Sequence, residues 1–252
     1  MDAISRRSLG AQLWGCLELI AFSLSNLRIL AKPAVRIVFE RQLYFSGIES
    51  LAIAAPLGLL AGALVFAQIN DIVGANDDLA IRVLIGALIR EAGPLLAAII
   101  VIARSGPAIA SELALMQLRH EVHELSLLGV PPLEYLILPR VAAVTVAVVV
   151  VTAYFQAIAT LGGLLVSAAF QGVSFIEQCN RFFELIRITE LATAFVKSAA
   201  FGLLVGGIFC YQGCDVRHSV TEVPQAAIRA VMQSLFYVFA IDAIFAWLQY
   251  AI

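Results

Sequence analysis

Long apolar segments, each long enough to cross a bilayer, constrain this chain more than any other feature. Residues 50–70 carry no charged side chain, and residues 141–176 run for 36 residues without one. A helix needs roughly 20 mostly apolar residues to span the hydrocarbon core, where its backbone hydrogen bonds must be made within the segment. We therefore predict an all-α integral membrane protein with five spans, at about residues 50–70, 79–109, 141–167, 191–214 and 230–250.

The composition supports the bilayer as solvent and excludes several classes of function. Charged residues are 13% of the 252 residues, whereas soluble domains carry about 25%. The net charge of -2 gives no reason to expect nucleic acid as a partner. Lys32 and Lys197, the only lysines, lack the glycines that a phosphate-binding loop requires. If ATP drives this protein, a separate chain must bind the nucleotide and its Mg²⁺.

The first 48 residues differ from the remainder. They hold six cations against three acids, with Leu, Ile and Phe recurring between them. This pattern favours an amphipathic helix lying along the cytoplasmic face of the membrane, with a disordered basic tail as the alternative. We assign residues 1–48 to this interfacial segment and residues 49–252 to a transmembrane domain.

The distribution of Lys and Arg predicts the orientation. Cytoplasmic loops carry an excess of these residues, so the basic N-terminus is expected inside. The loop at 71–78 has three acids and no cation, as expected outside. The polar block at 106–139 then lies inside, and the odd number of spans leaves the C-terminus outside.

Ionisable side chains lie within or beside the predicted spans, at Arg90, Glu91, Lys197 and Asp242. Such groups usually face a cavity, form pairs or extend to the interface. Gly93 and Pro94 follow the first two, which permits a bend or unwinding that exposes carbonyl groups. Our hypothesis is that the four groups line an amphipathic cavity for a lipid headgroup or another polar group. The alternative, which can coexist with it, is ion pairing between helices, for example of Lys197 with Asp242 or Glu91.

Glycine pairs indicate where helices approach closely. Gly58 with Gly62, and Gly202 with Gly206, have the GxxxG spacing that lets helix backbones meet. Glycine is also common in membrane helices without such a role. The adjacent pair at 162–163 is expected to loosen the end of the third span.

The polar block at 106–139 predicts an amphipathic helix over residues 109–128. Its apolar residues are Leu113, Met116, Leu125 and Leu128, with charged residues between them, which suits a helix against a partner or the membrane surface. The sequence at 120–124, HEVHE, resembles a metal motif but is not HExxH, because its second histidine is three positions after the first. A zinc site also needs more ligands than this cluster offers. We expect a solvated or partner-facing helix and no metal.

Several motifs together resemble the MlaE (YrbE) permease family, the membrane subunits of ABC transporters that work with MCE proteins. They are RQLY at 41–44, REAGP at 90–94, the ARSG to ASE and Met run at 103–116, GVPP at 129–132 and LPR at 138–140. Residues 211–215 and 226–231 and Asp242 are similar to the last loop and helix of that family. The resemblance covers nearly the whole chain.

The resemblance implies a homodimeric permease of the bacterial inner membrane. Two cytoplasmic ATPase subunits would drive it, and it would move phospholipid or a related lipid between that membrane and a periplasmic MCE-domain protein. The charged residues in the spans would lie near the lipid cavity. The block at 106–139 would contact the ATPase, with candidate coupling residues Glu112, Met116, His120, Glu121, Glu124 and Gly129.

Two rival functions come from other classes. An intramembrane lipid-modifying enzyme would use Glu91 or a histidine as a base. A membrane anchor or scaffold would need the block at 106–139 for docking alone. Since the sequence has neither a phosphate-binding loop nor a recognisable metal site, we favour a transporter subunit over a catalyst of bond chemistry.

Overall fold

A computed structural model describes residues 18–21, 23, 29, 32–73, 77–171, 175–216 and 219–251. From Pro33 onward, these residues form helices and connecting turns without any strand. The α-helices are α1 (Pro33–Leu43), α2 (Glu49–Val73), α3 (Asp77–Leu84), α4 (Gly93–Leu118), α5 (Glu121–Leu127), α6 (Leu138–Gln171), α7 (Phe175–Leu185), α8 (Ile188–Cys214) and α9 (Glu222–Ala251). Three π-helical segments are π1 (Tyr44–Ile48), π2 (Ile85–Ala92) and π3 (Leu133–Ile137).

Five helical stretches of the described residues are long and apolar enough to cross a membrane. They are Val35–Ile69, Ile81–Leu118, Leu133–Ala168, Ile188–Cys214 and Glu222–Leu248. The predicted fold class, an all-α integral membrane protein with about five spans, is thereby confirmed. The first three stretches are longer than predicted because π-helical segments continue the α-helices beside them. Segment π1 joins α1 to α2, π2 joins α3 to α4, and π3 leads directly into α6.

The N-terminal prediction falls mostly on residues that the structure does not describe. Residues 1–17, 22, 24–28 and 30–31 lie outside the described residues, so the interfacial helix remains a prediction there. Its last part is α1, which begins at Pro33, a residue suited to the first turn of a helix. Helix α1 continues through π1 into α2, so the backbone passes residues 48–49 without interruption.

Helix α6 lies at the centre of the bundle and contacts α2, α4 and α8. Both predicted glycine pairs pack against it. A Cβ atom on Gly58 would lie 3.2 Å from the carbonyl oxygen of Phe155, and one on Gly202 would lie 2.6 Å from the Cα atom of Thr145. The glycines therefore allow α2 and α8 to approach α6 at backbone distance, as the GxxxG spacing predicts.

The expectation for residues 162–163 is wrong. Helix α6 continues without a break to Gln171. A Cβ atom on Gly162 would lie 2.5 Å from the carbonyl oxygen of Leu59, and one on Gly163 would lie 3.3 Å from that of Gly62. These glycines thus extend the contact between α2 and α6. Within a helix held by its neighbours, a glycine serves close packing and does not end the helix.

The close contact between α2 and α6 predicts a large difference between two glycine substitutions. In Gly62→Ala, the new methyl group would overlap the carbonyl oxygen of Ala159, and we expect a loss of about 1–3 kcal/mol in the free energy of unfolding, typical of overpacking. Gly86→Ala is the control, because nothing lies within 4 Å of its Cβ position. Thermal unfolding in detergent micelles measures both variants, and equal stabilities would refute the packing.

Candidate functional site

The side chain of Lys197 lies inside the bundle between two carboxylates from other helices. It is fully buried, and its Nζ atom donates a hydrogen bond of 2.6 Å to Oε2 of Glu91. The same Nζ lies 2.7 Å from Oδ1 of Asp242. These residues belong to α8, π2 and α9 respectively. The alternative of ion pairing between helices, for which Lys197 with Asp242 or Glu91 was the example, is therefore present with both carboxylates.

Arg90 extends this cluster toward the surface of the bundle. Its Nε atom lies 3.9 Å from Oε1 of Glu91, and 37% of its side chain is exposed. The side chain of Glu91 is 38% exposed, against 18% for Asp242. All four predicted cavity residues thus form one network of two cations and two carboxylates, which we call the charge cluster. Its role toward a lipid remains a prediction.

The charge cluster lies at membrane depth. Lys197 is nine residues from the start of α8 at Ile188, and Asp242 is nine residues from the end of α9 at Ala251. At 1.5 Å per residue, both lie about 14 Å along their helices from the same end of the bundle. By the predicted orientation this end is the extracytoplasmic one. A lysine at such depth without a partner would be costly, and the two carboxylates offset that cost.

Gly93 and Pro94 would permit unwinding near Glu91, but the backbone there is not unwound. It forms the wider turns of the π-helix π2. The N–H group of Gly93 donates to the carbonyl oxygen of Leu88, five residues earlier, which is the π-helical pattern. The carbonyl of Ile89 accepts a hydrogen bond of 2.8 Å from Nε2 of Gln156, a buried residue of α6. The helix is therefore continuous, and the side chain of Gln156 covers the carbonyl of Ile89.

A second ionic contact lies at the opposite end of the bundle. The guanidinium group of Arg104 on α4 contacts the carboxylate of Glu49 and the carbonyl oxygen of Phe45. It also lies 4.7 Å from the centre of the Phe45 ring, a cation–π distance. Neither partner was predicted from the sequence.

The block at 106–139 contains a break that the sequence analysis did not predict. Helix α4 ends at Leu118, and His120 adopts a left-handed conformation with φ 61°. Helix α5 then runs from Glu121 to Leu127, and Gly129 also has a positive φ, of 78°. The single amphipathic helix expected over 109–128 is therefore wrong. Histidine is among the residues that tolerate the left-handed region, so it permits the chain to turn.

The six candidate coupling residues fall into two groups. Glu112 and Met116 face Arg140, whose Nη2 atom lies 2.9 Å from Oε1 of Glu112 and 4.0 Å from the Met116 sulfur. Arg140 itself is buried, with 4% of its surface exposed. These two residues are therefore engaged within the chain. His120, Glu121, Glu124 and Gly129 lie in or beside α5, and none of them is buried.

The most exposed apolar residues of this region are Leu127 and Leu128, at 74% and 78% exposure. They lie at the end of α5, which has no buried residue. Sequence reasoning placed Leu128 on an apolar face and missed Leu127. The signal was a pair of leucines directly before the turn at Gly129. Two adjacent exposed leucines at a loop tip indicate a contact surface for another molecule.

Among the residues that the structure describes, no group of three His, Cys, Asp or Glu side chains could hold a metal ion.

Sequence reasoning also missed the contacts that Gln156 and Arg140 make with other helices. Gln156 was visible as an amide in the charge-free stretch at 141–176, and Arg140 as part of the LPR motif. Their partners could not be read from the sequence, because they come from other helices.

Comparison with known proteins finds a family match and relatives over most of the chain. The family model for the permease MlaE matches residues 39–248. A probable ABC transporter permease of Rickettsia typhi is 30% identical over 89% of this chain and 87% of its own length. One from Synechocystis is 27% identical over 99% and 96%. The intermembrane phospholipid transport system permease protein MlaE of Haemophilus influenzae is 26% identical over 86% and 85%.

The five spans and these relatives define an ABC transporter permease, the membrane subunit of such a transporter. The resemblance seen in the motifs at 90–94 and 103–116 is confirmed over most of the chain. The protein belongs to the MlaE permease family.

The charge cluster predicts a specific pattern of stability changes. Lys197→Met leaves two carboxylates without their cation, and we expect a loss of about 3 kcal/mol in the free energy of unfolding. The triple variant Glu91→Gln, Lys197→Met, Asp242→Asn should recover most of this loss, because the only charge of the cluster that it keeps is that of Arg90, whose side chain is 37% exposed. Unfolding in detergent micelles measures each variant.

The control for this prediction is Arg36→Met, which breaks an exposed ion pair with Glu40 on α1. Exposed pairs contribute at most about 1 kcal/mol, so the change should be small. A Lys197→Met variant as stable as the wild type, or a triple variant as unstable as Lys197→Met, would contradict the pairing.

Proposed function

We propose that this ABC transporter permease moves phospholipid, or a related lipid, between the bacterial inner membrane and a periplasmic MCE-type partner. The observation that carries the proposal is the charge cluster, which combines a fully buried Lys197 with partly exposed Arg90 and Glu91 at membrane depth. Ionisable groups at this depth mark substrate pathways in membrane proteins. The phospholipid transport named for the Haemophilus relative supports the choice of substrate.

The exposed part of the cluster suits the headgroup of a phospholipid. The guanidinium of Arg90 can bind a phosphate through paired hydrogen bonds. The Oε1 atom of Glu91, on the side facing Arg90, can accept a hydrogen bond from an amine or hydroxyl. Lys197 and Asp242 lie behind them and hold Glu91 in place. The cluster has no net charge, so a headgroup carrying both signs would enter without leaving an unpaired charge.

We propose that the ATPase partner transmits its movement to this chain at the other end of α4. This helix runs unbroken over 26 residues from Gly93 to Leu118, about 39 Å at 1.5 Å per residue. It connects the segment that holds Glu91 with the turn before α5. A movement imposed on α5 by a partner would therefore be carried along α4 to the charge cluster. The two states must differ in their contacts for the drive to act.

The surface around α5 is proposed to dock the ATPase subunit. Leu127 and Leu128 supply the exposed apolar contact, and His120, Glu121 and Glu124 supply charged and polar groups around it. Glu112 and Met116 act indirectly, by holding Arg140 at the start of α6. ATP and Mg²⁺ would be bound by that partner. The chain would function as a homodimer with its N-terminus in the cytoplasm.

The decisive experiment separates a functional role of the charges from a structural one. The triple variant Glu91→Gln, Lys197→Met, Asp242→Asn, purified with its ATPase subunits and reconstituted in liposomes, should fold but transport fluorescent phospholipid at least about tenfold more slowly, as expected when one polar headgroup contact of about 1.4 kcal/mol is lost. Glu177→Gln on α7, an acid in an exposed ion pair with Arg181, should leave transport unchanged.

The alternatives give other results. If the folded triple variant transported lipid at the wild-type rate, the headgroup site would be overturned. A membrane scaffold would then be the remaining function. Chemical conversion of lipid by the purified chain without an ATPase would instead establish a lipid-modifying enzyme. Loss of transport in the triple variant with retained ATPase binding is the expected result.

A further inference from the structure

Gln156 is a buried polar residue of α6 that belongs to neither the charge cluster nor the α5 surface. Only 4% of it is exposed, and its Nε2 atom donates the 2.8 Å hydrogen bond to the carbonyl oxygen of Ile89. Ile89 immediately precedes Arg90 and Glu91. The side chain thus reaches from the central helix to the backbone that carries two members of the charge cluster.

The carbonyl of Ile89 needs an external donor because of the local sequence. The last π-helical hydrogen bond runs from the N–H of Gly93 to the carbonyl of Leu88. In this pattern, residue 94 would donate next to Ile89, but residue 94 is proline and has no N–H group. A carbonyl buried without a donor is costly. Gln156 supplies the missing donor.

Gly93 provides the space for this contact. A Cβ atom at position 93 would lie 2.7 Å from the carbonyl oxygen of Leu88, and 2.8 Å from Cγ and 3.0 Å from Nε2 of Gln156. Any other residue would push the amide away from the backbone of π2. The adjacent Gly93 and Pro94 therefore have complementary effects, since one admits the glutamine and the other creates the need for it.

The width of the π-helical turn determines where Arg90 and Glu91 point. A π-helical turn holds one residue more than an α-helical turn, and one residue corresponds to about 100° of rotation in an α-helix. A return to α-helical winding would rotate the carboxylate of Glu91 away from Lys197. The hydrogen bond from Gln156 favours the wider winding, because it satisfies the carbonyl that this winding leaves without a donor.

We propose that Gln156 is a positioning residue for the headgroup site. It acts through the carbonyl of Ile89, fixing the π-helical winding and with it the direction of Arg90 and Glu91. The proposal rests on the proposed function for its transport readout. The hydrogen bond and its dependence on Pro94 can be tested by stability alone.

The test is a double-mutant cycle between Gln156 and Pro94. Gln156→Met keeps a similar volume and removes the donor. It should raise the half-saturating phospholipid concentration for transport about 5- to 30-fold, the equilibrium factor for losing a buried hydrogen bond. Pro94→Ala restores an N–H group at position 94. In the Pro94→Ala background, Gln156→Met should change that concentration by no more than about twofold, because the restored group now serves the same carbonyl.

A matched control lies one turn earlier on α6. Thr152 is buried, but its hydroxyl donates within its own helix, to the carbonyl of Val148 at 2.7 Å. Thr152→Val should leave the half-saturating concentration unchanged. A defect due to general loosening of α6 would appear in Thr152→Val as well, and would not be rescued by Pro94→Ala.

The same double-mutant cycle can be measured by the free energy of unfolding in detergent, which is also accessible for variants that transport poorly. Gly93→Ala displaces Gln156 and also presses on the carbonyl oxygen of Leu88, so it should cost at least as much as Gln156→Met, and the loss in the combined variant should be less than the sum of the two. The proposal would be overturned if Gln156→Met caused the same loss in the wild-type and the Pro94→Ala backgrounds, in both transport and stability. A cycle that couples in stability while the triple variant of the charge cluster transports normally would retain the hydrogen bond but overturn the proposed headgroup site.

Discussion

The pairing of the buried Lys197 with Glu91 and Asp242 is the interaction on which the rest of the bundle depends. A lysine at membrane depth must find partners within the protein, and here they come from two other helices. Their distances of 2.6 and 2.7 Å restrict the rotation of π2, α8 and α9 relative to one another. The cluster has no net charge, and the side chain of Arg90 is partly exposed, which is where the proposed headgroup site lies.

Helix α6 brings these elements together. Glycines of α2 and α8 meet its backbone, and its Gln156 holds the π-helical segment before α4. Helix α4 then runs without interruption to the turn at His120, where the exposed α5 begins. The proposed cargo site and the proposed docking surface therefore lie at the two ends of one helix, and the central helix sets the position of that helix.

The sequence was sufficient for the features that depend on composition and spacing. The five spans, the GxxxG contacts and the membership of Lys197 in ion pairs with Glu91 and Asp242 could all be predicted. Contacts of a side chain with a backbone carbonyl of another helix could not be predicted, such as those of Arg104 with Phe45 and of Gln156 with Ile89, because no charged side chain marks the partner. Local backbone choices were also missed. Gly93 and Pro94 led to a wider turn instead of an unwound one, because Gln156 offers a donor that no local pattern reveals.

Photolabelling with a phospholipid that carries a diazirine in its headgroup examines the binding of lipid at the charge cluster without relying on transport. The wild-type permease in lipid bilayers, with its ATPase subunits, would be irradiated, and the labelled peptides would be identified by mass spectrometry. We predict adducts concentrated on Arg90 and Glu91 and strongly reduced in the triple variant Glu91→Gln, Lys197→Met, Asp242→Asn. Adducts confined to the helix ends at the two membrane surfaces, and unchanged in that variant, would contradict a headgroup site within the bundle.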